Sequence, residues 1–138
     1  IALLNGILIS IGGWFGLENL TLENILGYVF APLAFAIGVP WEEAVAAGSF
    51  IGQKLVLNEF VAYSNFGPVI GEFSAKAGLI ISFALCGFAN FSSMAILIGG
   101  LGGIAPAKRS TIAQLAVKAV LAGMLASLLS AAIAGMFI

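Results

Sequence analysis

Gly52-Gln53-Lys54-Leu55-Val56-Leu57-Asn58-Glu59-Phe60-Val61-Ala62-Tyr63 places a cation, an amide and a carboxylate within six positions of a chain that is otherwise almost uncharged. In lipid, each ionised side chain costs roughly 2.5–3.5 kcal/mol on insertion scales. A strongly apolar chain does not keep Lys54 and Glu59 together without a use for them. An ionisable residue at membrane depth is therefore read first as a functional-site candidate.

The surrounding composition sets that depth. The 138 residues are 62% hydrophobic and 8% charged, with a mean hydropathy of +1.17. Soluble domains carry about 25% charged and 45–50% apolar residues, so the solvent of this chain is the lipid bilayer. A net charge of −1 provides neither a nucleic-acid footprint nor a basic membrane-surface patch. One cysteine and no histidine rule out an internal disulfide and disfavour a transition-metal site. Cys86, in an apolar run, reads as a small packing residue. The chain opens at Ile1 with no Met and no basic region, so it does not read as a signal peptide. It reads as the C-terminal piece of a larger membrane protein.

Outward from the polar stretch, the chain divides into short apolar segments. Ile1 to Phe15 is short of the ~20 residues a span needs, and it reads as the end of a helix. Leu17 to Leu22 reads as an interfacial turn with Glu18 and Glu23 facing water. Thr21 N-caps a helix starting at Leu22 and running to about Phe30, within an interfacial element of about 20–38. Pro40-Trp41-Glu42-Glu43 marks a fresh helix start, with Pro in the first turn and acids suited to the helix dipole. Trp14, Tyr28 and Trp41 are placed as interface anchors.

From about 40 to 70, two apolar halves flank the polar segment Gln53–Glu59. That is the profile of a re-entrant hairpin, tolerated at depth only where protein or a water-filled cavity surrounds its tip. The segment of about 75–103 is long enough to cross, but Gly87-Phe88-Ala89-Asn90-Phe91-Ser92-Ser93 in its middle predicts a helix broken or unwound there. A final helix of about 108–138 is a full span. Along it Gly123, Ser127, Ala131 and Gly135 form a small-residue ridge for close packing. Lys108 and Arg109 put the preceding loop in the cytoplasm and the C-terminus outside.

Two polar constellations thus sit at membrane depth. In the first, Lys54 and Asn58 share a face if the segment stays helical, with Glu59 about 100° away. A Lys54–Glu59 ion pair that merely fixes the hairpin is one reading of the two charges. The other is a ligand site, because a carboxylate's two acceptor oxygens suit vicinal hydroxyls of a sugar. The second constellation is Asn90 and Ser93, one turn apart, with Phe88 and Ser92 nearby. Ser92 and Ser93 bonding back to their own helix, and Phe88 and Phe91 acting as fillers, are the structural alternatives. Asn90 is harder to place without a polar partner. Interrupted helices whose polar breaks meet at mid-depth are how secondary transporters build substrate sites. A channel or proton-conducting subunit using Lys54 and Glu59 as relay groups is the competing reading. A membrane enzyme is disfavoured by the lack of His, Asp or an activated nucleophile, and a purely structural subunit is the remaining option.

The glycine–x–lysine–x3–Asn-Glu-Phe-Val-Ala–aromatic pattern of Gly52 to Tyr63 resembles the C-terminal signature of the concentrative nucleoside transporters. Cys86-Gly87-Phe88-Ala89-Asn90-Phe91-Ser92-Ser93 looks like that family's unwound seventh helix, and Gly27-Tyr28-Val29-Phe30-Ala31-Pro32-Leu33 and Val39-Pro40-Trp41-Glu42 also fit. The resemblance covers nearly the whole chain. It implies an all-α integral membrane protein, a fragment of an inverted-repeat secondary transporter with a re-entrant helical hairpin, an unwound transmembrane helix and a last transmembrane helix. It further implies a homotrimer in which residues 1–16 end a scaffold helix and residues 17–138 are part of a moving transport domain. Glu59, Asn90 and Ser93 would bind the ribose of a nucleoside and Phe88 would line the pocket, with Lys54, Asn58 and Ser92 as supporting residues. The base-reading segment and the coupling ion, Na+ or H+ with Cys86-Gly87 favouring Na+, would sit mainly in the N-terminal portion. No metal ligand and no other cofactor is expected here.

Overall fold

The computed structural model describes residues 2–14, 16 and 20–138, so Glu18 and its expected exposure lie outside the described residues. The described residues form helices α1 (Ala2–Trp14), α2 (Leu22–Ala36), α3 (Trp41–Val56), α4 (Glu59–Phe66), α5 (Ala75–Leu85), α6 (Phe91–Ile104) and α7 (Arg109–Gly135), with 3-10 turns at Gly67–Glu72 and Pro106–Lys108. The regular elements of the described residues are all helical, as the apolar, glycine-punctuated pattern predicts.

Helix α2 starts where Thr21 Oγ1 accepts the Asn24 amide at 3.2 Å. It does not stop near Phe30: Pro32 is carried inside it and the helix runs on to Ala36. Glu23 is half-buried rather than turned to water, and its carboxylate accepts from Asn5 of α1 at 2.8 Å. After Gly38, whose φ of +105° favours glycine, the chain bends by 117° into α3. Pro40 is the N-cap of α3 and not a residue of its first turn. The two arms then touch backbone to backbone. A Cβ at Gly48 would lie 2.6 Å from the Gly27 carbonyl oxygen, and one at Gly52 would lie 2.6 Å from Leu26 Cβ.

Helix α3 runs through to Val56, so Gln53 and Lys54 belong to its buried wall and not to a polar tip. The tip is only Leu57 and Asn58. Gln53 is carried in the helix because its amide donates to Ser49 Oγ at 3.1 Å and accepts from Asn65 of α4 at 2.6 Å. Edge-on contacts among Phe50, Phe66 and Phe73 close the other end of the α3–α4 pair.

The segment after α4 is broken, over 86–90, so Ser92 and Ser93 are helical in α6. The small-residue ridge of α7 faces this break and α5. A Cβ at Gly87 would meet Ser127 Oγ at 2.5 Å, one at Gly123 would meet Ala89 Cβ at 2.9 Å, and one at Gly135 would meet Ile80 at 2.7 Å. Small residues on both sides let a non-helical backbone lie against a helix. Cys86 is exposed, contrary to its expected packing role. The helix Pro106–Gly135 is the one span among the described residues long and apolar enough to cross a membrane unaided; the bent pair Leu22–Ala36 and Trp41–Val56 passes only if taken together.

Candidate functional site

Two asparagines start the two helices that leave the breaks. Asn58 is the N-cap of α4, with Oδ1 accepting the Val61 amide at 2.9 Å. Asn90 is the N-cap of α6, with Oδ1 accepting the Ser93 amide at 2.7 Å. Asparagine suits this position because its short amide satisfies an amide N–H that has no helical partner. Because the helix has ended by Leu57, Lys54 and Asn58 do not share a helical face as the spacing alone suggests.

The two starts meet through side chains. Asn90 Nδ2 donates to Glu59 Oε2 at 2.7 Å. Asn90 is fully buried, whereas Glu59 is half-buried in the first turn of α4. A carboxylate in that turn is favoured by the positive end of the helix dipole. Ser92 does not bond back to its own helix: its Oγ donates to the Leu57 carbonyl of the tip at 2.9 Å. The hairpin tip and the broken helix are therefore joined twice within a few residues, by Glu59–Asn90 and by Leu57–Ser92.

Lys54 and Glu59 feel each other's charge but share no hydrogen bond. The Lys54 ammonium, 1% exposed, donates to the Ala84 carbonyl at 3.2 Å. Tyr63, whose role is not evident from the sequence, donates its hydroxyl to the Ser82 carbonyl at 2.6 Å. Both acceptors lie in the last turn of α5, where the break removes the amides that would otherwise reach them. The signal in the sequence was a hydroxyl and an ammonium flanking the tip, but their partners are backbone atoms and leave no residue-type trace.

Phe88 is 78% exposed. With Ser93 it lines a cleft of about 410 Å³ between α6 and α7, among apolar residues such as Leu97 and Leu115. Glu59 and Asn90 do not line that cleft. The candidate residues thus fall in two adjacent groups, a polar junction at Glu59 and Asn90 and an apolar wall at Phe88. Among the described residues, no three His, Cys, Asp or Glu side chains cluster as metal ligands.

A junction of this kind, a carboxylate and an amide held by two helix starts, can grip paired hydroxyls. Half-buried Glu59 retains acceptor positions beyond the one that fully buried Asn90 uses, so Asn90 orients the carboxylate. The family model described as "Na+ dependent nucleoside transporter C-terminus" matches residues 1–135. The chain belongs to that family. It is 73% identical over its full length to the uncharacterized transporter YutK of Bacillus subtilis, covering 34% of that protein. It is 52% identical over 88% of its length to the nucleoside permease NupC of Helicobacter pylori, covering 30% of it. Among solved structures it superposes on CNTnw in an inward-facing substrate-bound state with a TM-score of 0.95 and 56% identity, over 99% of this chain and 34% of that one. The chain thus spans about a third of the length of the relatives it matches. The matched family is one of nucleoside transporters, and the comparisons do not favour the conducting-subunit reading.

Proposed function

We propose that the complete protein is an ion-driven symporter of nucleosides, of the uridine, cytidine and adenosine class. Na+ is the coupling ion rather than H+, bound mainly outside this chain. The work is done by elevator-like alternating access in a homotrimer of the cell membrane. This chain supplies the ribose-binding half of the site. The observation that carries the reading is the 2.7 Å bond from Asn90 to Glu59 at the junction of two interrupted helices. An acceptor pair beside a donor amide is the complement of vicinal sugar hydroxyls, and interrupted helices are where secondary transporters bind substrate. Membership of a family described as Na+ dependent supports sodium coupling, and relatives named sodium/nucleoside cotransporters support the substrate class.

In this reading α3 and α4 form a re-entrant hairpin within one of two inverted repeats. Residues 1–16 end a scaffold helix and residues 17–138 move with the substrate. Ser93 and Phe88 complete the ribose contact, with Asn58 and Ser92 fixing the tip. The test is uptake of radiolabelled uridine and adenosine by the full-length protein carrying Glu59→Gln, in sodium and in choline at two pH values. Uptake should be sodium-dependent in the native protein and fall about tenfold or more in the variant, the cost of losing a charged hydrogen-bond partner. Unchanged uptake by the variant would falsify the site assignment, and uptake that follows pH rather than sodium would reverse the ion.

A further inference from the structure

Helices α3 and α5 run side by side in the same direction and are clipped at both ends by charges from α3. At the start, Glu43 takes the Ser74 amide at 2.6 Å on one oxygen and the Ser74 hydroxyl at 2.7 Å on the other. Ser74 is in turn the N-cap of α5. About three turns further, Lys54 reaches the Ala84 carbonyl in the last turn of α5. A carboxylate at the start and an ammonium at the end complement the dipole of α5 from both sides.

The C-terminal clip has a distinct consequence. The break at 86–90 leaves the last carbonyls of α5 without their helical donors. Cys86 N–H turns back to Phe83 O at 3.1 Å, and the neighbouring carbonyls of Ser82 and Ala84 are taken by Tyr63 and Lys54. Both donors flank the tip that precedes Glu59, one on α3 and the other on α4. A Cβ at Gly87 would lie 3.7 Å from the Lys54 nitrogen, so the ammonium sits directly beneath the unwound segment leading to Asn90. Burying an ammonium whose one hydrogen bond goes to a carbonyl is costly, and the nearby Glu59 carboxylate offsets that cost only in part.

We propose that Lys54, assisted by Tyr63, is a positioning residue. Its ammonium stands in for the severed backbone ladder of α5 and thereby fixes where Asn90 meets Glu59. This rests on the nucleoside reading for its functional consequence, but the positioning itself does not. The clip ties the broken helix to the hairpin, so the two halves of the polar junction keep one register as the domain moves. Lys54→Met keeps the apolar stem and removes the donors, and Tyr63→Phe removes one hydroxyl. Gln53→Met is the control, because it breaks the bonds to Ser49 and Asn65, and Gln53 makes no hydrogen bond to α5.

In the purified full-length protein, hydrogen exchange over 86–93 should quicken in Lys54→Met and Tyr63→Phe and stay native-like in Gln53→Met. Uridine affinity should fall about tenfold or more in Lys54→Met. The preference for uridine over 2′,3′-dideoxyuridine should collapse toward one, because that ratio reads junction geometry rather than protein quantity. Should Lys54→Met fail to fold, Tyr63→Phe carries the same two readouts with a smaller drop. Native exchange over 86–93 in both variants overturns the proposal, as does an equal loss of preference in Gln53→Met. If exchange quickens as expected but the native protein binds no uridine, the functional reading fails and the positioning stands.

Discussion

At the scale of single residues, Asn90 carries two tasks that substitution separates. Its Oδ1 caps α6 and its Nδ2 holds Glu59. Serine is also a good N-cap, but its hydroxyl is too short to reach across to the carboxylate. Asn90→Ala should therefore cost about 1 kcal/mol of stability through the lost cap, seen as a lower melting midpoint in detergent. Asn90→Ser should keep most of that stability, yet both variants should lose nucleoside uptake by about tenfold or more. Native uptake by Asn90→Ser would show that the Glu59 contact is not needed. Glu59 and Asn90 were legible in the sequence because a carboxylate and an amide stand out in an apolar run. Tyr63 and Lys54 were not assigned to α5 because their acceptors are backbone carbonyls, which look alike at every position until a helix breaks.

At the scale of elements, the glycines sort by what faces them. Gly48 lets α3 lie on the backbone of α2, with a Cβ there 2.6 Å from Gly27 O and 2.7 Å from the Ala31 amide nitrogen. Backbone does not yield as a side chain does, so Gly48→Ala should part the two helices and cost on the order of 1–3 kcal/mol. Gly99 in α6 has nothing within 4 Å of its would-be Cβ, so Gly99→Ala should be neutral or stabilise by about 0.5–1 kcal/mol. Thermal unfolding of the two variants side by side checks this, and equal midpoints would sink the backbone-contact account. Both interruptions were foreseeable from Asn, Gly and Ser at depth, but their limits were not. Helix α3 continues through Gln53 and Lys54 because Ser49, Asn65 and Ala84 meet their polar atoms, and α6 begins at Phe91 because Asn90 caps it.

At the scale of the whole molecule, much apolar surface faces outward. Within Pro106–Gly135, the one described helix long and apolar enough to cross a membrane, only 28% of an apolar 18-residue window is buried, leaving most of its apolar face open. The cleft between α6 and α7 beside Phe88 is open in the same way. If the site is shared as proposed, the chain expressed alone in membranes should bind no uridine, while the full-length protein should bind it. Equilibrium binding with labelled uridine distinguishes these, and full affinity in the lone chain would contradict a half-site. The residues by themselves determined the lipid setting, the helical class and the two polar breaks, since composition and turn-forming residues act locally. Only the tertiary structure decided that Lys54 serves a helix end and not Glu59, that Asn90 closes on Glu59, and that Ser92 holds the tip. Those pairings join residues some thirty positions apart, and their partners are defined by where backbone hydrogen bonds run out, which local sequence does not encode.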